Sequence, residues 1–144
     1  LYTVFTVDAV SLPALKDTAL GVIATQTWSP DLDNPMNKKF VADYKAKHGG
    51  YPSFYAAQAY DTMMAIDYAI GKAGSADNEA MRAVLAGGEI PTTRGILQMN
   101  SNQFPIQNVY LREVVLDSDG VATTKVIDTV FENHGDAYAK DCKF

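Results

Sequence analysis

Cysteine is nearly absent: Cys142 is the only one among 144 residues. No internal disulfide can form, so Cys142 is either a free thiol or half of a bridge to a partner outside this sequence. Histidine is almost as scarce. His48 and His134 each precede a glycine where a helix or strand should finish, and a helix-end cation or turn residue explains them better than a metal or catalytic role. Positive charge is in deficit, with 12 Lys and Arg against 17 Asp and Glu and a net charge of −5. The basic residues are also scattered, which disfavours nucleic acid or an anionic membrane as the main partner. No apolar run approaches a bilayer span, and the chain opens at Leu1 without initiator Met or a signal-type leader. This start predicts a mature chain or a fragment.

The usual signatures of phosphate and nucleophile chemistry are also missing. There is no G-x-G-x-x-G, no G-x-x-x-x-G-K-[ST], no G-x-S-x-G and no H-E-x-x-H. No cofactor, metal or catalytic residue is therefore expected. Two acid pairs, Asp31 with Asp33 and Asp117 with Asp119, sit among turn formers, where Asp is favoured for its own backbone hydrogen bonds. The run Asp117-Ser118-Asp119-Gly120 opens like a calcium loop, but the twelfth position falls on Asp128 rather than Glu, and the loop is rejected.

With 47% hydrophobic and 20% charged residues, the composition is that of one ordinary compact globular domain. Residues 1–7 are β-branched and aromatic, Ser11 can cap a helix through Ala19, and Val22 to Thr27 reads as a second strand. That order is a βαβ unit in a parallel sheet covered on both faces. An extended connection follows, with Pro30 and Pro35. Asn34 then caps a helix through His48, with Met36, Phe40 and Tyr44 on its buried face. Ser53 opens a second helix, to Gly71, whose apolar residues lie on almost every side, so it should be sandwiched. A third starts at Asp77 or Asn78 and buries Met81, Val84 and Leu85. The period then switches to two. Strands are predicted at 95–99, 109–116 and 121–130, the last two joined by a turn at Asp117–Gly120.

Functional chemistry concentrates at the start of the second helix. There a strand end and a helix N-terminus converge, with backbone N–H groups suited to a small acidic molecule. Tyr55 falls in the first helical turn, where its ring can hang over an opening. Trp28, beside the proline-rich connection, serves either as packing or as a crevice wall. Arg94, alone at a strand entry, can pair with a protein carboxylate or with a ligand.

Taken in order, these segments resemble a known family. They are Gly-Val-Ile-Ala-Thr-Gln-Thr-Trp at 21–28, the Asn-Pro helix, Gly-Tyr-Pro-Ser-Phe-Tyr-Ala-Ala-Gln-Ala-Tyr-Asp at 50–61, Thr-Thr-Arg-Gly-Ile-Leu-Gln-Met-Asn at 92–100, and Asn102 to Gln107. The set is similar to the C-terminal portion of type I periplasmic substrate-binding proteins of ABC importers, the branched-chain amino-acid type. The segments at Arg94-Gly95 and Phe104 to Gln107 look most like the branch for aromatic and other organic acids.

The resemblance implies a two-lobed, three-layer α/β sandwich of the periplasmic binding protein-like I fold, here an incomplete C-terminal fragment. It would close like a hinge on its ligand, in the periplasm, without enzymatic activity. The implied partners are a small carboxylate ligand, a membrane permease, and either the missing N-terminal part of the same protein or a swapped copy. Chain crossings between lobes are implied near Trp28 to Asp33 and near Pro105 to Val109. Residues 1–30 and 108–144 would then belong to the C-terminal lobe and residues 31–107 to the N-terminal one. The implied ligand-facing positions are Tyr55 and the strand-end segment Thr6 to Asp8. In the amino-acid binders an acid at that strand end holds the ligand ammonium, a role open to Asp8 only with a shifted alignment. A sensory ligand-binding domain shares the fold and is the alternative. A Rossmann-like or flavodoxin-like enzyme would need a glycine-rich turn that is absent.

Overall fold

The computed structural model describes residues 1–142. Its elements are β1 (Tyr2–Val4), α1 (Leu12–Leu15) with a following 3-10 turn (Lys16–Ala19), β2 (Ile23–Gln26), α2 (Pro35–His48), α3 (Phe54–Ala73), α4 (Asn78–Gly87), β3 (Ile90–Thr92), β4 (Gly95–Met99), β5 (Pro105–Leu116) and β6 (Ala122–His134). A short 3-10 turn, Ala139–Asp141, lies near the end.

The helix starts follow local chemistry. Asn34 is extended (φ −138°) and its side chain accepts the Asn37 N–H at 2.9 Å, with Pro35 in the first turn where no N–H is needed. Gly49, at φ +75°, closes α2 through its N–H to the Lys45 carbonyl at 2.8 Å. Ser53 caps α3 by accepting the Ala56 N–H at 3.2 Å. That helix runs past the expected stop at Gly71 because the left-handed residue is Gly74, at φ +65°.

The sheet is mixed, in the order β1-β2-β5-β4-β3, with β6 on the other edge of β5. Among the described residues only β1 and β2 pair in parallel, which keeps the βαβ unit although its crossover is a single turn of α-helix and a 3-10 turn. The other pairings are antiparallel. The expected parallel sheet is thus confined to two strands, and β1 is an edge strand whose Tyr2 and Val4 are exposed while Thr3 on its other face is half-buried.

Strand β5 joins two half-sheets. Its first residues pair with β4, Ile106 opposite Gln98, while Tyr110 to Glu113 pair with β2. Between them, among the described residues, 107–109 pair in the sheet with β6 alone, through a register that shifts at Gln107/Val109 and again at Val109/Tyr110. Bulges of this kind bend a strand and strengthen its twist.

Two cores form. One gathers Val7, Leu12, Ala19, Val22, Ala24 and Val114; the other is aromatic, with Trp28, Phe40, Phe54 and Ala57. Helix α3 is not sandwiched. Tyr55, Met63, Ile66 and Ile70 form an exposed stripe along it, so an apolar surface that the composition predicts to be buried stands bare. Met81, Val84 and Leu85 of α4 are half-buried rather than buried.

Beyond α2, Tyr51 donates its hydroxyl to Asp117 in the β5–β6 turn at 2.9 Å, and Asp31 accepts the Val126 N–H at 3.0 Å. These contacts tie the region around α2 to the β5–β6 hairpin. The segment after β6 lies on the β4–β5 turn. There Asn102 donates to Asp136 at 2.7 Å and Ser101 to the Ala139 carbonyl at 3.4 Å.

Candidate functional site

Two of the four expected site residues, Asp8 and Tyr55, lie at the start of α3. Phe5 ends β1 in a left-handed conformation, φ +58°, which is rare for a bulky side chain and costs roughly 1–3 kcal/mol. The turn directs Thr6 to Asp8 toward α3. Asp8 is buried, and its Oδ2 accepts the Phe54 N–H at 3.0 Å while Oδ1 accepts the Val10 N–H at 2.9 Å. A carboxylate at a helix N-terminus is favoured by both the free donors and the helix dipole. With Ser53 taking the Ala56 N–H, two donors of the first turn are already satisfied from within the chain. The expectation that they stand open to an anionic ligand is corrected accordingly.

Tyr55 is 63% exposed and packs edge-on to Phe54, ring centroids 5.7 Å apart. Phe5, itself half out in solvent, lies 5.7 Å from Phe54 on another side. Thr6 is exposed, and its carbonyl accepts the Ser11 hydroxyl at 2.8 Å. Asp8 and Tyr55 therefore share one helix start. Trp28 does not reach that surface. It is 1% exposed, donates Nε1–H to Asn37 Oδ1 at 2.8 Å and sits edge-on to Phe40. Of the two roles open to it in the sequence, packing is the one it has here.

Two buried polar residues that sequence reasoning missed organise this region. Asn37 donates to the carbonyls of Ser29, Pro30 and Leu32 at 3.1–3.3 Å, fixing the connection after β2. Its spacing from Phe40, Val41 and Tyr44 puts it on the buried face of α2, a signal the polar residue type obscured. Arg112 is 1% exposed, and burial lowers its pKa to about 10 against the opposing pull of Asp8 and Asp31. Alternation along β5 places Arg112 on the buried face with Tyr110 and Val114, so the period-two pattern contained this signal.

Arg94 pairs within the protein. Its Nε donates to Asp61 Oδ2 at 3.1 Å and one terminal nitrogen to Gln107 Oε1 at 2.5 Å, while Asp61 also accepts the Thr93 N–H and hydroxyl. His48 packs against Tyr44 and His134 stacks on Phe131. Asp117 accepts the N–H groups of Asp119 and Val121 at 2.9 Å, as a turn residue does.

Cavity shape points elsewhere than the α3 cluster. A cleft of about 570 Å³ lies between α2 and the β5–β6 hairpin, lined by Val41, Lys45, Tyr51, Leu116 and Lys125 among others, and by none of the four expected site residues. It is open, and Tyr51, Asp31 and Asp117 along it are already paired. Thr6 borders a cavity of about 240 Å³ beside β1, and Asp8 and Trp28 border one of only about 10 Å³ beside Arg112. The α3 cluster is preferred because exposed aromatic rings and a strand-end loop converge there on a helix start.

A mixed sheet whose loops meet a helix start among exposed aromatic rings is an architecture of α/β ligand-binding proteins. The chain belongs to the periplasmic binding protein family, whose profile matches residues 1–121. Among curated proteins it is similar to Leu/Ile/Val-binding protein homolog 6 of Brucella abortus, 38% identical over 130 residues, covering 87% of this chain and 33% of the relative. Among solved structures it resembles a solute-binding protein of an ABC transporter from Rhodopseudomonas palustris BisB5 in complex with 3,4-dihydroxybenzoic acid. That match has a TM-score of 0.79 and 30% identity and covers 90% of this chain and 36% of the other. A second R. palustris solute-binding protein, in complex with benzoate, matches with a TM-score of 0.79 and 26% identity, over 96% of this chain and 37% of the other. The fold is thus that of the type I periplasmic binding proteins, which sets aside the Rossmann-like and flavodoxin-like alternatives. The chain spans about a third of the length of the curated relatives it matches.

Proposed function

We propose that this chain is part of an extracytoplasmic solute-binding protein that delivers a small carboxylate to an ABC permease, with binding as its whole activity. The ligand sits where Thr6 to Asp8 face Tyr55, between two lobes that close about a hinge. The observation that carries this reading is the Asp8–Phe54 hydrogen bond, 3.0 Å across 46 residues of sequence, which brings a strand-end loop against the helix start. Phe5 and Tyr55 offer ring faces there, and Asp8 offers an acceptor for a ligand hydroxyl or ammonium. An aromatic ring suits that set, and the acid class follows the ligands of the two R. palustris proteins.

The lobe boundary in this proposal falls at Gly49 to Ser53 rather than at residue 31, because Tyr51 and Asp31 hold the α2 region to the β5–β6 hairpin. The second boundary stays near residues 105–109, where β5 passes between half-sheets. The bare stripe on α3 is covered by the remaining part of the protein or by a swapped copy.

A thermal-shift screen of the full-length protein tests the ligand class. Benzoate and 4-hydroxybenzoate raise the melting point and leucine does not. The reverse pattern assigns a branched-chain amino acid instead, and no shift with any of them contradicts the reading.

A further inference from the structure

Arg112 lies in the middle of β5, two strands away from β1, yet its guanidinium reaches across the sheet. One terminal nitrogen donates to the Trp28 carbonyl at 3.1 Å and to the Thr124 hydroxyl at 3.2 Å; the other donates to the Val7 carbonyl at 3.3 Å. Val7 and Trp28 follow the parallel strands β1 and β2 at their carboxyl ends. Val7 immediately precedes Asp8, and Trp28 immediately precedes the Ser29 to Leu32 connection that Asn37 holds. A single side chain thus clips both loops that leave the same end of the sheet.

The choice of residue is informative. A buried guanidinium is expensive, and an apolar residue of similar volume would usually be as stable or more so. Among the described residues no carboxylate lies within ion-pair distance of Arg112. What arginine supplies is a rigid planar fork whose donors point in different directions, which lysine cannot reproduce with one ammonium. Two of the three acceptors are main-chain carbonyls from separate loops, so the fork fixes backbone position as well as bonding the Thr124 hydroxyl.

We propose that Arg112 is the positioning residue of the binding crevice. By holding the Val7 and Trp28 carbonyls together it sets Asp8 at the start of α3, and through Asp8 it sets the surface offered to the ligand. This inference rests on the solute-binding reading above for its last step only; the clip itself is a property of the fold.

The test uses the full-length protein as wild type, Arg112→Lys and Thr124→Val, with amide hydrogen exchange and 4-hydroxybenzoate titration as readouts. In Arg112→Lys the amides of Val10, Ser11 and Leu12, which bond Asp8, lose protection by about tenfold or more, while interior amides of α3 such as Ala65 and Ala69 are unchanged. Thr124→Val keeps both carbonyl contacts and leaves Val10 to Leu12 within about threefold of wild type. Affinity for 4-hydroxybenzoate falls in Arg112→Lys and holds in Thr124→Val. Unchanged protection in Arg112→Lys, an equal loss throughout α3, or an equal loss in Thr124→Val overturns the clip. Lost protection with unchanged affinity overturns its role in binding. If the wild type does not bind 4-hydroxybenzoate, the ligand reading fails, and the exchange data still decide whether Arg112 holds the loops.

Discussion

Asp8 and Phe54 are joined by a 3.0 Å hydrogen bond from the Phe54 backbone N–H to the Asp8 carboxylate, so the strand-end loop after β1 serves as the N-terminal partner of α3. The charge sits where the helix dipole favours it and replaces a donor's lost water. Asp8→Ala removes acceptors for both Phe54 and Val10 and should destabilise the full-length protein by about 1–3 kcal/mol. Asp8→Asn, which keeps an acceptor but no charge, should cost less. Urea unfolding of the two variants checks the order.

Tyr55 should matter to ligand and little to folding. It is 63% exposed and its ring sits edge-on to Phe54, so Tyr55→Ala should change stability by less than about 1 kcal/mol. Calorimetric titration with an aromatic carboxylate should show weakened binding. Unchanged affinity would remove Tyr55 from the site.

Asp61 and Arg94 predict the opposite pattern. Asp61 is buried and accepts from the Thr93 N–H, the Thr93 hydroxyl and Arg94. Asp61→Ala strands a largely buried guanidinium and a buried N–H, and should cost about 3–5 kcal/mol. Chemical denaturation measures it. A cost below about 1 kcal/mol would show that the network contributes little net stability.

The Tyr51–Asp117 bond gives stability a pH window. The N–H of Val121, and after it the Tyr51 hydroxyl, hold the Asp117 carboxyl below its ordinary range. A lowered acid contributes fully above its unfolded value near pH 4, and the contribution is lost as pH falls through the folded value. Burial, and after it the bond to Asp117, raises the Tyr51 phenol. A raised phenol contributes fully below about pH 10 and loses that contribution as pH rises through its folded value. The stability gap between wild type and Tyr51→Phe should therefore be widest between these limits and narrow outside them. Unfolding midpoints across the pH range test this.

Much of the fold was legible because its signals are local. Asn34 with Pro35, Ser53 and the Asp117–Gly120 turn each set a boundary through their own backbone chemistry, and the structure places α2, α3 and the hairpin accordingly. Less legible were features fixed by distant partners. The short strand β3 carries Pro91 and is defined by pairing with β4. The start of β5 reads as a turn until β4 is opposite it. In the candidate site, Tyr55 was singled out by its place in the first helical turn and Asp8 by the family resemblance, whereas the packing of Trp28 depended on where Asn37 and Phe40 lay. Arg112 was hidden because a charged residue in an alternating strand is ordinarily solvated.

Closure of two lobes on an aromatic acid is the central claim, and small-angle scattering of the full-length protein tests it most directly. With saturating benzoate or 4-hydroxybenzoate the radius of gyration should fall relative to the ligand-free protein. A ligand that binds by calorimetry and leaves the radius unchanged would contradict it.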